Sequence, residues 1–169
     1  NKQVLKAVTQ GEIGRQLLAQ LEDRGILGLA YWDNGFKVMS ANTPIRMPED
    51  LKGKRIAVPI GSTAHFSLMG ALKMYNLTEK DVTVVGMSPA EIAAAWAQNA
   101  VDAAFVWYPV QAKIRENGKV MTTAGAIAKT GFPTFNGWVA TNKFAAANRA
   151  GLVNFLKAMN QINGDYSKN

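Results

Sequence analysis

An α/β fold built on a mostly parallel sheet is predicted by three features of the chain. From residue 55 onward, short strand-like apolar runs alternate with segments of helical period: RIAVPI, AHFSLMGALKMY, DVTVVGM, SPAEIAAAWAQNA, DAAFVWY and VQAKIREN follow one another. Strand-to-helix junctions carry helix-start chemistry, as at Ser88-Pro89-x-Glu91, where the N-cap, N1 and N3 preferences coincide. The 169 residues are 48% hydrophobic, enough for one domain with its own core. No apolar run reaches the roughly 18 residues of a membrane span.

Taken in order, 2–8 and 12–25 read as helices, with Leu17, Leu18 and Leu21 at helical spacing and Gly25 as a C-terminal stop. Residues 26–41 read as one extended strand interrupted at Asp33-Asn34-Gly35 by a turn or bulge. The two prolines of 42–54 make a loop with one helical turn. Strands then fall at 55–60, 81–87, 102–108, 119–125 and 137–142, and helices at 64–75, 88–100, 110–117 and 145–162. The polar tail NGDYSKN is expected to fray. Met69, Met74, Met87 and Trp96 read as core filling. The composition shift near residue 50 is the one candidate seam.

Composition excludes several functions. With no cysteine there is no disulfide, thiolate metal site or cysteine nucleophile, and a single histidine argues against a His-based zinc site. The net charge of +7 is spread, with 9 basic and 6 acidic residues in 1–55 against 10 and 6 in 56–169. A nucleic-acid footprint concentrates charge on one face or arm, so no nucleic-acid partner is expected. The opening NKQVLKAVTQ has neither Met nor an apolar h-region, which reads as a processed or engineered start without a signal peptide.

The candidate site is the turn Gly61-Ser62-Thr63-Ala64-His65. It lies at a strand's carboxyl end, where ligands of open α/β sheets sit, and it opens a helix whose free N–H groups favour an anion. Gly61 permits close backbone approach, and Ser62 and Thr63 add hydroxyl donors. The plainer reading is an ordinary N-cap. Neither a P-loop nor a G-x-G-x-x-G turn is present. Trp107 ends the third strand and suits a pocket wall, or equally the core. Asn136 can present an amide, or simply serve as a turn residue before Gly137. A Ser62–His65 dyad lacks an orienting acid, so no catalytic residue, no metal and no cofactor is expected.

On these residues the chain resembles two families. DLKGKRIAVPIGSTAHFSL, AEIAAAWAQNAVDAAFVWYP and GFPTFNGWVATNKF make residues 50–166 similar to the second lobe of taurine and alkanesulfonate substrate-binding proteins of bacterial ABC importers. GEIGRQLLAQLEDRGILGLAYWDNGFKVMSANTPIRMPEDLKG makes 11–53 resemble the binding proteins of TRAP transporters, which carry organic acids. Both are periplasmic proteins whose two α/β lobes close on a ligand. The resemblance implies a single lobe of a type II periplasmic binding protein, with helices on both sheet faces and one antiparallel strand. It divides the chain into a helical lead-in and hinge-crossing strand at 1–49 and an α/β lobe at 50–169. The strand at 55–60 is expected between 81–87 and 102–108, and 27–39 beside 137–142.

The same resemblance implies that Ser62 and Thr63 hold a sulfonate and that Trp107 packs on it. Asn136 stands where taurine binders carry an acid, which weakens the case for taurine. Ala57 stands where TRAP proteins clamp a carboxylate with arginine. Both families need roughly twice this length, so the chain reads as a solute-binding lobe for small sulfonate-like organic anions with a weak half site. The alternative is an engineered or recombined hybrid with neither binding nor catalysis. The implied partners are a small organic anion, a membrane permease of the ABC type and, to cover Ile26, Leu29, Tyr31 and Trp32, either the first helices or a second copy in a homodimer. The implied compartment is the periplasm.

Overall fold

The computed structural model describes residues 7–33 and 36–166. By its contacts the chain divides into two units. One is the continuous run Asp33–Phe135, and the other is built from the chain before Asp33 and after Phe135.

The continuous unit holds a five-stranded sheet in the order β4-β3-β5-β2-β6. Its strands are β2 (Lys37–Ala41), β3 (Arg55–Val58), β4 (Thr83–Gly86), β5 (Ala103–Trp107) and β6 (Lys119–Thr123). β3 runs parallel to both β4 and β5, as expected for 55–60 between 81–87 and 102–108. β2 is antiparallel to β5 and to β6, and is the antiparallel strand of an otherwise parallel sheet. Period-two alternation sends neighbouring residues to opposite faces. Phe105 and Met39 join Leu68, Leu72 and Ile127 in one buried core. Ala104 and Val106 join Ile92, Trp96 and Ile114 in another. Helices α2 (Thr63–Met74) and α5 (Ala124–Ala128) supply the first core, and α3 (Pro89–Ala97) and α4 (Val110–Arg115) the second.

Local chemistry explains the helix starts. Ser88 caps α3 through a capping box: Glu91 N–H donates to Ser88 Oγ at 3.4 Å, and Ser88 N–H donates to Glu91 Oε2 at 2.7 Å. Ser88→Ala removes one half of that exchange and should cost about 1 kcal/mol. Thermal unfolding would read this as a drop of roughly 2–4 °C, and an unchanged midpoint would show that the box contributes nothing.

In the second unit, residues 7–10 are helical and α1 spans Glu12–Ala19. A 3-10 turn at Glu22–Arg24 then ends on Gly25 at φ 73°, the expected stop. β1 (Ile26–Asp33) pairs with β7 (Phe135–Thr141) in a two-stranded sheet, followed by α6 (Asn142–Ala147) and α7 (Arg149–Tyr166). The cover expected over the lead-in strand comes from α1. A side chain at Gly28 would meet Leu18 at 2.6 Å, and Tyr31 Oη donates to the Gly14 carbonyl at 2.9 Å. Trp138 sits edge-on to Trp32 at 6.3 Å and to Phe155 at 5.1 Å.

Several boundaries differ from expectation. The 26–41 strand is two strands in two sheets, β1 and β2. The 12–25 helix closes at Ala19. The 145–162 helix is split at Asn148, whose amide side chain donates back to the Phe144 carbonyl at 3.2 Å and whose φ of −130° breaks the helical run. α5 was not expected, since five residues are too few to show a 3.6 period. Residues 2–6 of the first helix, Asn34-Gly35 of the interruption, and 167–169 of the polar tail lie outside the described residues. No helix among the described residues is long and apolar enough to cross a membrane.

Candidate functional site

The parallel strands β3, β4, β5 and β6 all end at one edge of the sheet, and each is followed by a helix. The N-termini of α2, α3, α4 and α5 therefore gather there, with unpaired N–H groups and the positive ends of their dipoles. β2 runs the other way, so it begins at this edge. Its first residue, Lys37, pairs in register with Trp107, the last residue of β5.

The turn after β3 is built as the sequence suggests. Gly61 takes φ 76°, which only glycine adopts without strain. Ser62 is the N-cap of α2, and its Oγ accepts from Ala64 N–H at 3.2 Å and His65 N–H at 3.3 Å. The capping role is thus realised, and the Ser62 oxygen is occupied while its O–H proton stays free to donate. Thr63 is half-buried as the first helical residue. The His65 ring turns back on the same turn: Gly61 N–H donates to its Nδ1 at 3.3 Å, and Nε2 lies 3.9 Å from Glu79. Among the described residues the two ring nitrogens of His65 face the Gly61 N–H and Glu79, not the Ser62 hydroxyl.

Trp107 is half-buried and packs against the Phe105–Met39 core. Asn136 is exposed, on β7 in the other unit. Gly61, Ser62, Thr63 and Trp107 belong to the continuous unit. Ala57 is fully buried in the second core.

The residue that sequence reasoning missed is Lys37. It is 2% exposed, and its Nζ has no hydrogen-bond partner among the described residues. Burial without a partner pulls its pKa down from 10.5 to about 8. A signal was present: in FKVMSA, Lys37 has the parity of Met39 and Ala41, so strand alternation turns it to the core face. Among the described residues no carboxylate pairs with this buried ammonium, which is costly, and an anionic ligand would relieve that cost. Among the described residues no group of His, Asp and Glu could hold a metal ion.

The family model described as bacterial extracellular solute-binding protein, family 7, matches residues 1–137. The taurine-binding periplasmic protein of Escherichia coli is 43% identical over 101 residues, covering 60% of this chain and 32% of that protein. The C4-dicarboxylate-binding periplasmic protein DctP of Rhodobacter capsulatus is 49% identical over 72 residues, covering 41% of this chain and 22% of that protein. The chain thus spans about a third of the first relative and less of the second. Among solved structures, the alkanesulfonate-binding protein SsuA of Xanthomonas axonopodis pv. citri, bound to MOPS, superposes with a TM-score of 0.71 at 24% identity, covering 96% of this chain and 59% of that one. That likeness establishes the fold: α/β, a mixed sheet with helices, in a single lobe.

Proposed function

The chain belongs to the bacterial extracellular solute-binding proteins, family 7, and from that premise we propose that it is a solute-binding lobe for a small organic anion, held at the carboxyl edge of the sheet. The observation that carries this reading is the buried, unpartnered ammonium of Lys37 beside Trp107, at the edge where the helices begin. In the proposed site Lys37 supplies the charge and Trp107 packs on the ligand body. The Gly61 turn, with the Ser62 O–H and Thr63, donates hydrogen bonds to the anion. Asn136 belongs to the proposal by resemblance alone. The relatives' names favour a sulfonate or a dicarboxylate, and the reading is of binding, not catalysis. Docking to a transporter permease and a periplasmic location come from the same family membership. The homodimer finds less motive, because α1 already covers β1.

A lobe alone leaves the anion open to water, so charge-assisted hydrogen bonds lose much of their strength. Dissociation constants in the millimolar range are expected, about −4 kcal/mol. At about 100 times that constant, ligand adds about 2.7 kcal/mol of stability. For a domain of this size the melting midpoint rises by roughly 5–10 °C. The test compares ethanesulfonate and succinate with chloride at matched ionic strength, in wild type and in Trp107→Ala. A larger shift with either organic anion, reduced in the variant, is the expected result. Equal shifts with chloride would sink the reading.

A second reading is a recombined chain that folds and binds nothing. It is favoured by identities above 40% to binding proteins of two different solutes. The same titration separates the two readings.

A further inference from the structure

A cavity of about 230 Å³ lies at the opposite end of the sheet from Lys37. β2 leads to it, since the strand runs from Lys37 to Ala41, and Ala41 pairs there with Lys119 at the start of β6. The loop after β2 and Tyr75, at the C-terminal end of α2, complete the walls. Ile45, Val120 and Met121 give the cavity an apolar body. Its charged groups are of one sign. Arg46 and Lys119 both line it, and neither forms an ion pair among the described residues. Thr43 also lines it, with its Oγ1 buried and without a partner among the described residues. The carboxylate that feels Arg46, Asp50, is already taken: its Oδ2 accepts from the backbone N–H groups of Arg46 at 2.8 Å and Met47 at 3.1 Å.

Two unpaired cations, a free hydroxyl and an apolar floor match an anion that carries an apolar body. The volume sits just under the usual range for ligand pockets, so the ligand is small. The geometry points to a second binding site here, for a small amphipathic carboxylate of the size of benzoate, distinct from the site at the carboxyl edge. Arg46 and Lys119 bind the carboxylate and the Thr43 O–H adds a donor. The ring or alkyl body lies between Ile45, Val120 and Met121. It stands whether or not the carboxyl edge binds anything, because it shares no residue with that edge.

The test uses the whole chain carrying methyl-13C methionine and uniform 15N, so that methionine methyls and backbone amides are both read. Met47 and Met121 line the cavity, while Met69 and Met87 do not. Sodium benzoate is titrated to about 50 mM against sodium chloride of equal ionic strength, with neutral benzamide in parallel. The expected result is a saturable shift of the Met47 and Met121 methyls with Met69 and Met87 unmoved. Binding should be at least about tenfold weaker for benzamide and for Arg46→Gln/Lys119→Gln, the loss of a charge-assisted contact. Unmoved Met69 and Met87 signals in the double variant report that it is folded. Benzamide binding as well as benzoate, or unaltered affinity in the double variant, would overturn the proposal. So would uniform drift of all methyls, or shifts confined to the amides of 61–65, which would place benzoate at the other edge.

Discussion

Lys37→Met is expected to raise the melting midpoint at pH 7 and to abolish a rise in stability that the wild type shows above about pH 8. In the folded chain the Lys37 ammonium titrates near 8, against 10.5 when exposed. Below pH 8 both states carry the proton and the full cost of burying the charge is present. Between the two values the folded chain has released its proton while the unfolded chain keeps it. Unfolding then takes up a proton, so stability increases with pH across that window. At about 1.4 kcal/mol per pKa unit the cost is on the order of 3 kcal/mol, some of which methionine recovers at neutral pH. Thermal unfolding of both proteins from pH 7 to 10 reads the difference. Parallel curves would show that the ammonium reaches water or an anion. A bound anion favours the charged lysine, so its stabilising effect should fade as pH rises through 8 and should be missing in Lys37→Met. A variant that is more stable but no longer responds to ligand is the usual sign of a binding group kept at the expense of stability.

Phe105→Ala should be the most damaging single truncation in the continuous unit, at about 3–5 kcal/mol. Phe105 is fully buried at the centre of β5, between β3 and β2, and shares a core with Met39 and Leu68. Neighbours held in strands on both sides cannot collapse into the space it leaves. At roughly 2–4 °C per kcal/mol, the midpoint should fall by about 10 °C. Val139→Ala, at a position 51% exposed on β7, should change stability by no more than about 0.5 kcal/mol. Comparable losses in the two variants would mean that the β5 core is loosely packed.

The legible parts of the fold were those with strong local signals. The β3–α2–β4–α3–β5 run showed in its alternation, because β3 and β5 are short apolar blocks buried on both faces and α2 and α3 each open on a serine cap. Strand order followed from the right-handed crossover and the family order. The Gly61 turn was legible because its residue types are the ones a left-handed turn and an N-cap require. Less legible was what depends on pairing at a distance. Nothing in ILGLAYWDNGFKVMSA says that Ile26–Asp33 pairs with β7 while Lys37–Ala41 enters another sheet. α5 was hidden by its length, and its start rests on one bond, Ala126 N–H to Thr123 Oγ1 at 3.1 Å. Lys37 escaped notice because lysine reads as surface, and the parity that turns it inward counts only once its strand is known to be covered on both faces. The amphipathic cavity had no sequence signature, since Thr43, Arg46, Tyr75 and Lys119 meet only through tertiary packing.

The division of contacts at Asp33 and Phe135 also sets a timetable for synthesis. All five strands of the continuous unit exist once residue 123 has been made. β1 is made earlier than any of them, yet its partner β7 begins only at Phe135. At a translation rate of about 5–20 residues per second, the roughly 100 residues between them take on the order of 5–20 s. Throughout that interval β1 lacks β7, the strand it pairs with among the described residues, and that edge is open to another nascent chain. α1 precedes β1 on the ribosome, so the contacts of Leu18 with Gly28 and of Tyr31 with Gly14 can form without waiting. The lead-in helix is therefore placed to cover the strand that follows it before β7 has been made, and it keeps the same contacts in the finished unit.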